Sequence, residues 1–167
     1  MSTEILSKTG ASAVKLEGGI ELADTIHYLV ERGIPVMGHI GLMPQRINIK
    51  GKFISQGYSP LEVKKIITDA KSISSAGVFS IVVEAVKESL GKKITSSVSA
   101  PTIGIGAGKY CDGQILVTDD MLGLSDPFTP KFVKKYANLY SDIDEAIKKY
   151  KNEVLNGKFP SAKNIYN

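Results

Sequence analysis

Apolar positions along this chain fall into short blocks separated by glycine-marked breaks and by stretches with helical spacing. Ala13-Val14-Lys15-Leu16-Glu17 is the first strand-like run, ended by Gly18-Gly19, and a helical pattern follows from Ile20 to Glu31. Ile34-Pro35-Val36-Met37-Gly38 is the second run, ended by His39-Ile40-Gly41. The stretch from Pro44 to Tyr58 is rich in turn formers and reads as a long functional loop, since structureless loops of that length are uncommon otherwise. Ser59-Pro60-Leu61-Glu62 then opens a helix: Ser59 caps it, Pro60 takes the first helical position, and Glu62 completes a capping box. Leu61, Ile66, Ile67, Ala70 and Ile73 supply its expected buried face. Val78 to Val83 is a continuous apolar run ended by Glu84, and a short helix is expected from about Lys87 to Ser96. Thr102-Ile103-Gly104-Ile105-Gly106 and Gln114-Ile115-Leu116-Val117 complete about five strands, before a helical region from about 130 to 157.

Strands apolar on both faces that alternate with helices predict an α/β protein with a parallel sheet covered by helices. A doubly wound sheet and part of a barrel both satisfy this pattern, and periodicity does not choose between them. The chain has 167 residues, the size of one domain, whereas a complete eight-fold βα barrel takes about 250. Hydrophobic residues make up 43% and charged residues 23%, which argues against disorder. No apolar run is long enough to span a membrane, Met1-Ser2-Thr3-Glu4 does not open a signal peptide, and the single cysteine, Cys111, suits a reducing compartment. A cytoplasmic location is therefore expected.

The net charge of +4 arises entirely after residue 130, where eight lysines face four acids. Ile143, Ile147, Tyr150 and Val154 give that tail a helical stripe, with Asp142, Asp144 and Glu145 at its start and lysines further along, as a helix dipole favours. Gly157 is its expected stop. With only two arginines in the chain, a solvated helix face is a better reading than a nucleic-acid surface.

In parallel α/β folds the chemistry sits at the carboxyl ends of the strands. The residues that fall there are Lys15, Glu17, His39, Glu84 and the turn from Gly104 to Gly108. Charged groups at the ends of apolar strands are costly to bury without partners, so their repetition at successive strands marks a candidate site. The glycine turn reads either as an anion cradle or as close strand-to-helix packing. Asp119-Asp120 reads as a turn rather than a ligand pair, and His27 as a structural or surface histidine.

Taken in order, these blocks resemble the ketopantoate hydroxymethyltransferase family. The resemblance rests on Ala13 to Gly19, on Gly33 to Leu42 with Pro44-Gln45, on Val82-Val83-Glu84 and on Pro101 to Gly108. Asp112-Gly113-Gln114 and Phe128-Thr129-Pro130-Lys131-Phe132 continue it, so that it covers essentially the whole chain. It implies a (βα)8 TIM barrel of the phosphoenolpyruvate/pyruvate superfamily, N-terminally truncated, with about strands 4 to 8 in a single partial domain over residues 1–167. It also implies a transferase of pantothenate biosynthesis, on the coenzyme A pathway. Such an enzyme moves a hydroxymethyl group from 5,10-methylenetetrahydrofolate to 3-methyl-2-oxobutanoate, giving 2-dehydropantoate, with Mg²⁺ and in a homo-oligomer, typically a decamer. By resemblance Glu84 is the base that removes the C3 proton, Lys15 and His39 contact the substrate, and Glu17 stands near the metal, holding its water shell. The family's direct aspartate ligands belong to VGDS- and SD-type motifs, which do not occur in this sequence; Asp112, Asp119 and Asp120 do not match their positions. Tyr58 stands where the family often has a basic residue, and Lys87 where it often has a proline. Activity of the chain alone is therefore not expected. The competing readings are a non-catalytic fragment of a decaying gene and a small α/β metabolite-binding module.

Overall fold

The computed structural model describes residues 2–42, 55–124 and 129–166. Met43, the Pro44-Gln45 block, most of the expected 44–58 loop and Phe128 lie outside the described residues. The chain divides into two compact units, Met1–Ile115 and Leu116–Asn167.

The first unit holds a five-stranded parallel sheet in the order β1-β2-β3-β4-β5. Its strands are β1 (Val14–Glu17), β2 (Val36–Gly41), β3 (Ser80–Glu84), β4 (Thr102–Ile105) and the two-residue β5 (Gly113–Gln114). A short helix α1 (Ser2–Thr9) precedes them. A 3₁₀ turn (Ile20–Leu22) leads into α2 (Ala23–Val30) between β1 and β2. Helices α3 (Pro60–Ser75) and α4 (Glu88–Thr95) follow in sequence. Strand order here equals chain order, without the reversal that defines a doubly wound sheet. This is the connectivity of a barrel wall, consistent with the TIM-barrel expectation.

Side-chain alternation divides the sheet into two unlike faces. Val36, Ile40, Ile81 and Val83 point to one face, where they join Ile26 of α2, Ile66, Ala70 and Ile73 of α3, and Leu90 and Ile94 of α4 in a single buried cluster. Gly38 belongs to that face, and a Cβ there would lie 2.7 Å from the Ile73 side chain, so α3 approaches the strand closely. Lys15, Glu17, His39, Val82 and Glu84 occupy the alternate positions.

The expected capping box is present: Ser59 Oγ accepts from the Glu62 amide at 3.2 Å, and the Glu62 carboxylate accepts from the Ser59 amide at 3.4 Å. Three expectations are corrected. His39 lies within β2 and not in a turn after it, because the strand's ladder to β3 continues to Gly41. Leu61 is 79% exposed, since it falls on the outer side of the first turn of α3. The last strand stops at Gln114, and Ile115 and Val117 are exposed.

In the second unit, α5 (Thr118–Leu122) ends at Gly123, whose φ of +66° and amide bonds to the carbonyls of Asp119 and Asp120 form a left-handed cap. Asp119 and Asp120 thus sit in the first turn of a short helix. The tail helix α6 (Leu139–Leu155) is shorter than the region expected from 130, and Gly157 follows it with φ +64°. Its stripe of Ile143, Ile147, Tyr150 and Val154 is exposed, and Lys148 pairs with Asp144 at 2.6 Å. That pairing raises the Lys148 pKa, through the hydrogen bond first and the Asp144 charge second. No helix among the described residues is long and apolar enough to cross a membrane.

Candidate active site

The ladder that joins β1, β2 and β3 brings the predicted residues together. Glu17 is the register partner of His39, His39 of Val82, and Gly41 of Glu84. Lys15 and Glu17, two apart, share a face, as do Val82 and Glu84. The result is a chain of contacts across three strand ends. Lys15 Nζ is 3.8 Å from Glu17 Oε1, His39 Nδ1 is 3.4 Å from the same oxygen, and His39 Nε2 is 3.1 Å from Glu84 Oε2.

His39 is 2% exposed, and its two nitrogens lie within ion-pair distance of a carboxylate without the alignment of a hydrogen bond. A neutral imidazole has one N–H, so it can donate to only one of the two carboxylates at a time. His39 thereby stands between the carboxylates of Glu17 and Glu84. Glu17 Oε2 is also buried without a hydrogen-bond partner. A buried acceptor left open in this way fits a hydrogen bond from a metal-bound water, so Glu17 suits a role beside a hydrated cation. Among the described residues no group of three or more His, Cys, Asp or Glu side chains could hold a metal directly.

The backbone around Glu84 is held from three directions. Leu42 N donates to the Glu84 carbonyl at 2.9 Å, and a Cβ on Gly41 would come within 2.2 Å of that same oxygen. Ala85 N donates to Ile105 O, and Ala85 O accepts from Gln56 N, both at 2.8 Å. Ala85 has φ +48°, a left-handed conformation that costs a non-glycine residue about 1–2 kcal/mol. Strain of this kind persists where surrounding bonds over-determine it. Residues 55–58 therefore act as a clasp on the peptide after Glu84, and Lys87 Nζ adds a cation–π contact 4.0 Å from the Tyr58 ring. Tyr58 and Lys87, two of the positions at which the resemblance is imperfect, thus touch each other.

Two glycines of the 104–108 turn are in close contact with neighbouring side chains. Added Cβ atoms would meet Glu88 at Gly108 (2.4 Å) and Gln114 with Cys111 at Gly104 (3.0 and 3.1 Å), so these two glycines permit close packing of the turn. Beyond the turn, Asp112 Oδ2 accepts from Thr102 N at 2.8 Å and from Thr102 Oγ1 at 2.9 Å. These two bonds, the backbone one foremost, lower the Asp112 pKa. Thr102 Oγ1 also lies 2.8 Å from Thr95 Oγ1, whose hydroxyl reaches the Gly91 carbonyl at 3.1 Å.

Sequence reasoning missed Asp69. This α3 residue is 4% exposed, and its carboxylate accepts from Ile20 N at 3.1 Å and from Lys65 Nζ at 2.6 Å. No local signal points to a bond spanning 49 positions.

Acidic and imidazole groups thus gather at the ends of a sequentially ordered parallel sheet, the place where α/β enzymes carry their chemistry. The chain belongs to the ketopantoate hydroxymethyltransferase family, whose model matches residues 1–162. It is 54% identical over 159 residues to the 3-methyl-2-oxobutanoate hydroxymethyltransferase of Kosmotoga olearia, covering 95% of this chain and 60% of that protein. It is 53% identical over 165 residues to the enzyme of the same name from Sinorhizobium medicae, covering 99% of this chain and 60% of the relative. The Paracoccus denitrificans enzyme of that name is 49% identical over 165 residues. The chain thus spans about 60% of the length of the curated relatives it matches.

Proposed function

We propose that this chain carries the proton-abstracting part of a site that transfers a hydroxymethyl group from 5,10-methylenetetrahydrofolate to 3-methyl-2-oxobutanoate, giving 2-dehydropantoate. The observation that carries the reading is the Lys15–Glu17–His39–Glu84 contact chain at the ends of three adjacent strands. Glu84 takes the proton from C3 of the oxo acid, leaving the electron pair in an enolate whose carbon attacks the methylene carbon. A water molecule supplies the new hydroxyl as the bond from that carbon to the folate nitrogen breaks, and tetrahydrofolate leaves with the proton on its nitrogen. General-base catalysis of this kind is worth about 10²–10⁴ in rate. His39, in contact with Glu84, steadies the carboxylate and provides a path for its proton towards Glu17. Lys15 sets a positive charge beside the oxygens of the anionic substrate. Mg²⁺, when bound, supplies Lewis acidity at the substrate's keto and carboxylate oxygens. Glu17 would hold its water shell through Oε2.

The five strands are read as the later part of an eight-stranded barrel wall, and the site as complete only when the earlier strands, with the direct metal ligands, are supplied. By the family resemblance the assembled protein is a homo-oligomer. The support is twofold: the sequential strand order and the 60% coverage of the relatives. The test is an assay of 2-dehydropantoate formation with Mg²⁺ and both substrates, run on this chain alone and with a polypeptide covering the remainder of a relative. Turnover only in the mixture is expected. Robust turnover by the chain alone would overturn the claim that further strands are needed.

A further inference from the structure

We propose that Asp69 is a positioning residue for the candidate active site, acting through the turn that follows Glu17. The inference rests on the reading of Glu17 and His39 as site residues. It starts from a carboxylate that the chemistry above does not use. Asp69 lies midway along α3, is 4% exposed, and reaches across to the amide of Ile20, three residues beyond Glu17.

Two features show that the turn is built around this contact. A Cβ on Gly19 would lie 2.1 Å from Asp69 Cγ, so only glycine lets the carboxylate approach the turn. The amide of Gly18 donates to the His39 carbonyl at 3.1 Å. The residue directly after Glu17 is thus tied to β2, and the residue after Gly19 is tied to α3. Glu17 is the last residue of β1, and without the second tie its peptide is anchored on one side only. Because His39 Nδ1 sits 3.4 Å from Glu17 Oε1, a swing of this turn alters the environment of the imidazole. Lys65, at 2.6 Å from Oδ2, holds the carboxylate so that Oδ1 faces the turn, but it is itself largely exposed and its pair with Asp69 is the weaker tie.

The readout is the imidazole ¹H–¹⁵N spectrum of the full chain at one fixed pH. The chain has two histidines, so a His27→Gln variant assigns the His39 signals. Asp69→Leu and Gly19→Ala are expected to shift the His39 Nδ1 resonance, with a loss of about tenfold in exchange protection of the Ile20 amide. Asp69→Asn, which keeps an acceptor for Ile20, and Lys65→Met are expected to leave the His39 signal in place. A purely structural role would lower thermal stability in Asp69→Leu while the His39 signal stays unmoved, and that result would overturn the proposal. So would equal displacement in Asp69→Asn and Asp69→Leu. If Asp69→Leu does not fold, Gly19→Ala and the unsubstituted chain remain decisive, since an Ile20 amide exchanging as fast as exposed amides would refute the tie outright. None of these readouts depends on catalysis, so failure of the proposed reaction would leave this test intact, and the reverse.

Discussion

The two faces of the same parallel sheet follow opposite rules. Toward the helices, Val36, Ile40, Ile81 and Val83 are 1% exposed or less and meet only apolar partners. On the alternate positions of the same strands, His39 is buried beside the carboxylates of Glu17 and Glu84 with both ring nitrogens lacking hydrogen-bond partners, and Ser80, at the start of β3, is buried with its hydroxyl unpartnered. One face gains free energy by removing hydrocarbon from water, about 25 cal/mol per Å². The other leaves polar atoms open, each at a cost of about 1–3 kcal/mol. Open polar atoms of this kind call for an explanation beyond apolar packing, and among the described residues three of the four belong to Glu17 and His39.

The contrast is testable from its strongest term downward. Ile81→Ala, at a fully buried position of the helix face, is expected to cost about 2–5 kcal/mol in urea unfolding. A loss below 1 kcal/mol would show that this face is not the stabilising one. Thr102→Val removes the hydroxyl that links Thr95 to Asp112, and about 1–2 kcal/mol of loss is expected. Its pH dependence has a defined sign. The Asp112 carboxyl is held low in the folded state, first by the Thr102 amide and then by its hydroxyl, so its contribution is present above the ordinary aspartate range. That contribution disappears as pH falls through the lowered folded value. Thr102→Val should therefore flatten the stability profile in that acid window, as followed by thermal melts. Because Asp112 is exposed to solvent, the flattening is small and shrinks with salt. Ser59→Ala, which deletes the capping box of α3, is expected to cost about 1 kcal/mol.

What the sequence made legible was local or periodic. The cap at Ser59 was readable because its partners lie within four positions, and the strand ends were readable because glycines follow them. Lys15, Glu17, His39 and Glu84 were identified by their recurrence at those ends, and register alone then assembled them. Long-range features were not legible. The Asp69–Ile20 bond spans 49 positions, and the clasp of Gln56 on Ala85 depends on a turn of backbone that leaves no residue signature. Leu61 and Ile115 mark the limit of periodicity: both look apolar enough to bury, and both are exposed. His39 looked like a turn residue because it is polar, whereas the backbone ladder extends past it and the side chain is accommodated on the polar face.

The smallest effect on stability should come from Glu84→Gln, an isosteric change that removes one charge from the polar face and is expected to alter folding stability by no more than about 1 kcal/mol. The same variant makes the most direct test of the account. Exchange of the C3 proton of 3-methyl-2-oxobutanoate for deuterium, followed by NMR in D₂O with Mg²⁺ and the complementing polypeptide, isolates the proton-abstraction step. The account predicts that the unsubstituted chain supports exchange and that Glu84→Gln slows it by about 10²–10⁴-fold with folding intact. Exchange at an undiminished rate in a folded Glu84→Gln protein would contradict it.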